Sequence, residues 1–221
     1  MIYLEETLNL APATPMSLDG FIDFAQDKLL TRYPETGARL SAAWYSEVEY
    51  FRQVTQLLEF DDLNAFADYR NELDRSSSWK EIEAELSARA PVRRYRLLEP
   101  LVPEFATVFN KAIAASRDTP LKTYMLAILE VAPGQMQNMV AGLASVAENG
   151  SLPIVMSFRP LTGNPNEVID VWKGSLQQSG YQKMESDSSA GFNQEWWTNL
   201  LIMAPQERIV HAYTLPYSPL A

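Results

Sequence analysis

Tyr3-Leu4-Glu5-Glu6-Thr7-Leu8-Asn9-Leu10-Ala11-Pro12 returns, in looser form, as Tyr124-Met125-Leu126-Ala127-Ile128-Leu129-Glu130-Val131-Ala132-Pro133, 121 residues further on. In the first copy Leu4, Glu6, Leu8 and Leu10 fall on one parity and Tyr3, Glu5, Thr7 and Asn9 on the other, the period-two pattern of a half-buried strand. Each copy stops at Ala-Pro ahead of a helical segment. The ends of the halves echo too, with Leu98-Glu99-Pro100-Leu101 answered by Tyr217-Ser218-Pro219-Leu220 at an offset of 119. A period of this length marks a duplicated domain, well beyond solenoid repeats of about 20–50 residues.

Outward from the first copy, Ser17 is the expected cap of a helix carrying Phe21, Phe24, Ala25, Leu29 and Leu30, ended near Tyr33-Pro34. Residues 40–45 and 50–60 read as strands joined by a tight turn around Glu47-Val48-Glu49. Asp62 caps a helix with Leu63, Phe66, Ala67 and Leu73, and Ser78 with Glu81 forms a capping box for a second one bearing Trp79, Ile82 and Leu86. Residues 92–98 form the closing strand. This order of strand, helix, strand, strand, helices, strand is the split βαβ arrangement of a ferredoxin-like unit.

The second half repeats the order. Residues 123–131 are its strand, Gly134 opens a helix that Asn149-Gly150 closes, and residues 153–161 and 167–172 flank the turn Thr162-Gly163-Asn164-Pro165-Asn166. Residues 175–185 read as a weaker helix, 186–191 as a flexible Ser/Gly stretch, 194–203 as a helix and 208–217 as the last strand. Tyr69 answers Tyr181 and Phe60 answers Trp172 at offset 112, whereas Trp79 answers Trp197 at offset 118, so an insertion of about six residues falls in the Ser/Gly stretch. The expected division is a first α+β unit at 1–102, a connector with a helix over 104–116 at 103–120, and a second α+β unit at 121–221.

The 221 residues are 47% hydrophobic, enough for two cores of about 100 residues each. Eighteen basic against 28 acidic side chains give a net charge of −10, which repels phosphate backbones and anionic membranes. The densest basic segment, Arg93-Arg94-Tyr95-Arg96, alternates within a strand and suits cross-strand ion pairs. No nucleic-acid or membrane partner is expected. The chain has no cysteine, so it has neither disulfides nor thiolate metal sites. Without a signal-peptide pattern or an apolar run of about 20 residues, it is expected to be soluble and cytoplasmic.

Two ferredoxin-like units can pair their sheets into a barrel with the helices outside, and the sequence resembles the dimeric α+β barrel superfamily with both units in tandem. Within it, Ile2-Tyr3-Leu4-Glu5, the strand ending in Phe60, Tyr69-Arg70 and Trp79 resemble the NIPSNAP family. Thr123-Tyr124-Met125, Pro133-Gly134, Trp172, Tyr181 and Trp197 echo them, so the resemblance spans nearly the whole chain. It implies a fold more than an activity, because the superfamily includes cofactor-free monooxygenases, polyketide cyclases, muconolactone isomerases, dehydratases and haem enzymes.

His211, the only histidine, shares a strand parity with Ile209, Tyr213 and Leu215 and is a candidate general base or haem ligand. In tandem barrels resembling the chlorite dismutase family the haem histidine sits on a helix of the second half, whereas His211 sits on a strand. Asp170 replaces the apolar Leu58 at offset 112, on the parity of Val168 and Trp172. A turn centred between Asn164 and Pro165 places Asp170 opposite Arg159, either as an ion pair or as an oxyanion holder with its orienter or base. Tyr45, Arg52 and Gln56 are the first half's candidates for binding a substrate, with Trp172 and Trp197 in the second. The same turn arithmetic sets Arg52 opposite Trp44 as a cation–π pair, and Glu59 is expected to be solvated.

One histidine and no cysteine leave no zinc spacing, and no glycine-rich phosphate loop or Gly-x-Ser-x-Gly elbow is present, so neither metal nor cofactor is expected. The leading expectation is a cofactor-independent enzyme or binding protein for a small apolar or aromatic ligand in a sheet–helix pocket. Proton transfer, as isomerase, cyclase, lyase or monooxygenase, would fall to His211, Asp170, Arg159 and Tyr213. The alternatives are a non-catalytic interaction module, with homo-oligomerisation open, and a haem-binding barrel. The substitutions Asp170 for Leu58, His211 for Val92 and Tyr213 for Arg94 point to the second half as the functional one.

Overall fold

The computed structural model describes residues 1–49, 51–174 and 194–221, with side chains in the last helix described from Thr198 onward. The helix expected over 175–185, the Ser/Gly stretch, Tyr181 and the Trp197 side chain lie outside the described residues. Eight strands are seen among the described residues: β1 (Ile2–Asn9), β2 (Arg39–Ser46), β3 (Gln53–Phe60), β4 (Val92–Pro100), β5 (Thr123–Glu130), β6 (Ile154–Pro160), β7 (Glu167–Lys173) and β8 (Gln206–Thr214). They follow one another in the order β1-β3-β2-β8-β5-β7-β6-β4 as a closed antiparallel barrel, in an α+β chain. The order β4-β1-β3-β2 in the first unit and β8-β5-β7-β6 in the second is the ferredoxin-like one.

Two compact units divide the chain, Met1–Leu98 with Tyr213–Ala221, and Glu99–Ala212. The connector helix belongs to the second unit instead of standing between the two, and the last nine residues return to the first. The return is made by hydrogen bonds: Leu215 N donates to Ala43 O at 3.0 Å, Ala43 N donates to Ser218 Oγ at 2.9 Å, and Tyr45 faces Tyr213 across β2 and β8.

In the first unit, helix α1 (Pro15–Phe24) is capped by Thr14, whose hydroxyl accepts from Ser17 N at 3.2 Å. The cap is Thr14 and not Ser17 because Pro15, lacking an N–H, sits at the first helical position at no cost in hydrogen bonds. Thr14→Ala is expected to lower stability by about 1 kcal/mol in urea unfolding, the usual worth of such a cap. The chain then runs through a π turn (Ala25–Leu29), the short α2 (Leu30–Arg32) and a 3₁₀ turn (Tyr33–Thr36) that ends at Gly37, φ 77°. Pro34 stands second in that turn instead of ending the helix, and the turn carries Tyr33 into the core.

Asp62 caps α3 (Leu63–Arg75), accepting from the amides of Asn64 and Ala65 at 2.8 and 2.9 Å. Helix α4 (Ser77–Arg89) is capped by Ser76, two residues ahead of the expected box. The core between these helices and the sheet takes Leu4, Leu8, Val54, Leu58 and Phe60 from the strands, with Phe21, Leu29, Tyr33, Tyr69, Trp79, Ile82 and Leu86 from the helical side. The opposite parity of β1 holds Glu5, which is buried and paired with Arg96 directly across β4, so this member of the basic segment serves a cross-strand ion pair.

In the second unit α5 (Pro103–Ser116) packs against β6 and against α6 (Met136–Asn149), which ends at left-handed Gly150. Gly134 precedes α6 by a turn, at φ 80°, and does not start it. Helix α7 spans Gln194–Met203. No helix among the described residues is long and apolar enough to cross a membrane.

Both hairpins differ in register from expectation. Ser46 faces Gln53, so six residues close the first turn, with Arg52 left-handed at φ 57°, and Trp44 comes to face Thr55. Arg52 instead pairs with Glu47 at 2.7 Å and lies over the Phe51 ring. Glu59 is not solvated: it is 7% exposed, held by Arg39 at 2.7 Å and Ser41 at 3.1 Å. In the second hairpin Gly163, at φ 102°, moves the turn centre one residue earlier, and Asp170 faces Ser157 instead of Arg159.

Candidate functional site

One row of residues crosses the first sheet in register: Tyr95 on β4, Glu6 on β1, Gln56 on β3 and Ala43 on β2. Paired residues of antiparallel strands share a face, and this row lies on the face that also presents Leu4, Leu8, Val54 and Leu58 to the helices. Glu6 is a carboxyl in that otherwise apolar layer, 6% exposed. Burial pushes it from 4.5 to about 7; Arg93 and Arg70 pull the other way, and Glu83 adds to the rise. No hydrogen bond acts on the carboxyl among the described residues.

Beside Glu6 lies a cavity of about 300 Å³. Its walls are Leu29 and Tyr33 from the first helical segment, Tyr69 and Leu73 from α3, Trp79, Ile82 and Leu86 from α4, and Tyr95 from the sheet. Arg70, Asp74, Lys80 and Glu83, all exposed, set charges of both signs around the rim, and Arg93 is bound to Glu83 and to Ser87 Oγ. An apolar concavity with a few polar groups is the usual form of a small-molecule site.

The phenols differ in what they are left to do. Tyr33 stacks on Trp79, ring centroids 6.2 Å apart, and donates its hydroxyl to Gln56 Oε1 at 3.0 Å. Gln56 Nε2 donates in turn to Tyr217 Oη at 2.8 Å. Tyr69 is buried against Phe60, centroids 5.1 Å apart, and no hydrogen bond acts on its hydroxyl among the described residues. Burial first, then the charge of Glu6, pushes its ionisation far above the ordinary phenol range, so it stays an O–H donor. Tyr95, half exposed at the rim, is pushed up to about 12 by the same two causes. The site therefore joins a carboxyl that exchanges its proton near neutrality to phenols that keep theirs.

The residues expected to carry chemistry are placed elsewhere. Asp170 is 3% exposed and accepts a hydrogen bond from Ser157. Burial pushes its carboxyl from 3.8 to about 7 against that hydrogen bond, with Glu207 adding to the rise. Arg159 is bound to Glu99 at the surface, so the expected Arg159–Asp170 pair is absent. Their separation follows from the earlier turn centre, which slides Arg159 past Asp170. His211 is half-buried on β8, and Tyr213 packs on Tyr45 with ring centroids 5.3 Å apart. Trp172 is buried between Met125 and Ile154. Among the described candidates, Gln56 alone belongs to the row that runs through Glu6.

The register also changes which residues of the two halves correspond. Glu6 faces Gln56 and Ala127 faces Asp170, while Glu6 and Ala127 are counterparts in the repeated strand. Asp170 thus replaces Gln56, a polar residue, and not Leu58. What sequence reasoning passed over was Glu6. Its signal was present, a carboxylate on the parity of Leu4, Leu8 and Leu10. Tyr33 and Tyr69 carried no such mark.

Residues 13–90 match the NIPSNAP family model. No curated protein matches the sequence. Among solved structures, a proposed monooxygenase from Lactobacillus acidophilus NCFM is 13% identical with a TM-score of 0.61, covering 96% of this chain and 92% of its own. A proposed monooxygenase from Fusobacterium nucleatum is 11% identical at a TM-score of 0.63, covering 97% and 92%. An anthrone oxidase-like protein is 8% identical at 0.57, covering 99% and 93%. These likenesses establish the fold. The family match lies within the first unit, residues 13–90, and the solved structures share the α+β architecture along the length of the chain.

Proposed function

We propose that the cavity of the first unit binds a small, largely apolar or aromatic molecule and that Glu6 moves a proton on it, in an isomerisation, cyclisation or elimination. The observation that carries this reading is the placement of Glu6: a buried carboxyl without a hydrogen bond among the described residues, lining a cavity walled by leucines, isoleucine and aromatic rings. A general acid–base works best when its pKa lies near the operating pH, and burial brings Glu6 to about 7. The proposed monooxygenases and the anthrone oxidase-like protein share only the fold, so their names suggest the kind of ligand to try first and nothing of the residues.

The test is a thermal-shift panel of aromatic acids, phenols and aldehydes, repeated on Ile82→Phe, which fills the cavity, and on Glu6→Gln. Ligands of this site should stop stabilising the Ile82→Phe protein. Their affinity should vary with pH around 7 in the wild type and lose that dependence in Glu6→Gln. Hits indifferent to both substitutions would remove the reading. A partner-binding module is favoured by a different observation, the exposed Val48 and Phe51 at the β2–β3 turn, 72% and 60% exposed. A panel without any hit would favour it.

A further inference from the structure

Of the tyrosine hydroxyls around Glu6, two are engaged: Tyr33 donates to Gln56, and Tyr217 receives from it. Tyr95 stands at the rim, 45% exposed. The Tyr69 hydroxyl belongs to a residue 3% exposed that lines the same cavity as Glu6, and the described residues supply it no hydrogen-bond partner. Glu6 and Tyr69 reach the cavity from opposite sides, one from the sheet and one from α3. Tyr69 feels the charge of Glu6 second only to burial itself. Two buried polar groups, an acid and a fixed O–H donor, are left for whatever occupies the space between them.

We infer that this occupant is an enolisable ketone, whose carbonyl oxygen is received by the Tyr69 hydroxyl while Glu6 works on the carbon beside it. The inference rests on the reading of Glu6 given above and adds the substrate class and the second residue. In the step, the Glu6 carboxylate takes the proton from the carbon next to the carbonyl. The electron pair of that C–H bond becomes the new C=C bond, and the carbonyl π pair moves onto oxygen. The oxygen gains negative charge while Tyr69 is already donating to it, so the hydrogen bond strengthens as the charge develops. Return of the proton from Glu6 to the same carbon restores the ketone, and return to a conjugated carbon shifts the double bond. No oxidant or reductant enters.

The surroundings suit this ligand better than a charged one. A carboxylate would set a like charge against ionised Glu6. An ammonium would approach Arg93, whose buried Nη1 has no hydrogen-bond partner among the described residues, and Arg70. A neutral ketone needs no counter-charge on entry, and the arginines favour the enolate that forms from it.

The probe is 2-tetralone in D2O at pH 8, with exchange of its acidic C–H protons followed by proton NMR. Naphthalene and 2-naphthol binding is followed by fluorescence. The expected results are exchange faster than in buffer, reduced at least about 100-fold in Glu6→Gln and about 100- to 1000-fold in Tyr69→Phe, with naphthalene affinity unchanged in Tyr69→Phe. In the wild type 2-naphthol, which carries oxygen where the enolate would, should bind at least about tenfold tighter than naphthalene, the worth of one hydrogen bond to a partly charged oxygen. That comparison needs no variant to fold. If naphthalene binds but exchange does not exceed buffer, or Tyr69→Phe exchanges like the wild type, or 2-naphthol has no advantage, the ketone assignment falls while the cavity reading stands. Failure of naphthalene and 2-naphthol to bind at all would overturn both.

Discussion

Raising the pH from 4 to 8 is expected to take stability from this protein at two buried carboxyl groups, Glu6 and Asp170. Both fold with their proton held up to about pH 7, against 4.5 and 3.8 for the unpacked side chains. Below the lower values both folded and unfolded chains are protonated, and these groups favour neither. As the pH rises towards 7, the unfolded chain releases protons that the folded chain retains, so folding becomes progressively less favourable; above 7 the loss is complete. At about 1.4 kcal/mol per pKa unit the shifts correspond to about 3 kcal/mol for Glu6 and about 4 kcal/mol for Asp170.

Other carboxylates, such as Glu85, held below its ordinary range by Lys28 and Arg89, respond with the opposite sign, so the informative quantity is a difference between proteins. Urea unfolding at pH 4, 6 and 8 should show Glu6→Gln gaining on the wild type as pH rises, and Asp170→Asn doing the same. A mutant-minus-wild-type difference that stays constant with pH would show that neither carboxyl is desolvated as described. For Asp170 the gain is set against the hydrogen bond from Ser157, which an asparagine oxygen can still accept. For Glu6 no such bond is at stake, so its curve gives the cleaner reading of burial.

Phe60→Ala is expected to lower stability by about 4 kcal/mol, the midrange for deleting a fully buried aromatic side chain. Phe60 is 0% exposed, faces Ile2 across β1, and lies 5.6 Å from the Phe66 ring and 5.1 Å from the Tyr69 ring. Its removal loses transfer free energy and leaves a void that β3, paired on both sides, cannot close. Phe66→Ala in the same aromatic group should cost less than half as much, because Phe66 is only partly buried. Denaturation midpoints compare the two directly, and equal costs would contradict the packing. Because Phe60 backs Tyr69, its loss should also weaken binding of 2-naphthol more than that of naphthalene.

Much of the fold was legible because its signals are local. The repeated strand, the Asp62 cap, the Asn149-Gly150 stop and the order of elements each depend on a few neighbouring residues and the φ/ψ they prefer. Misreadings came where one residue's geometry decided an alternative. Pro15 moved the first cap to Thr14, and Ser76 took a cap assigned to Ser78. The candidate site was less legible. Its central acid was visible as a break in an apolar parity, but the comparison of the copies rested on Asp170, His211 and Tyr213, pointed to the second half, and passed over Glu6 against Ala127.

By itself the sequence determined two ferredoxin-like units, their strands and helices, and the presence of a carboxylate on the buried face of β1. Only the tertiary structure decided which side chains meet. A turn six residues long put Thr55, not Arg52, opposite Trp44, and left-handed Gly163 gave Asp170 to Ser157. A strand's pairing is a global offset, so one extra turn residue changes every partner along it. The cavity draws Glu6, Tyr33, Tyr69, Trp79 and Tyr95 from segments up to 89 residues apart, and no local preference encodes their meeting. The proton affinity of Glu6 follows from that meeting, because desolvation belongs to the packed layer and not to the residue.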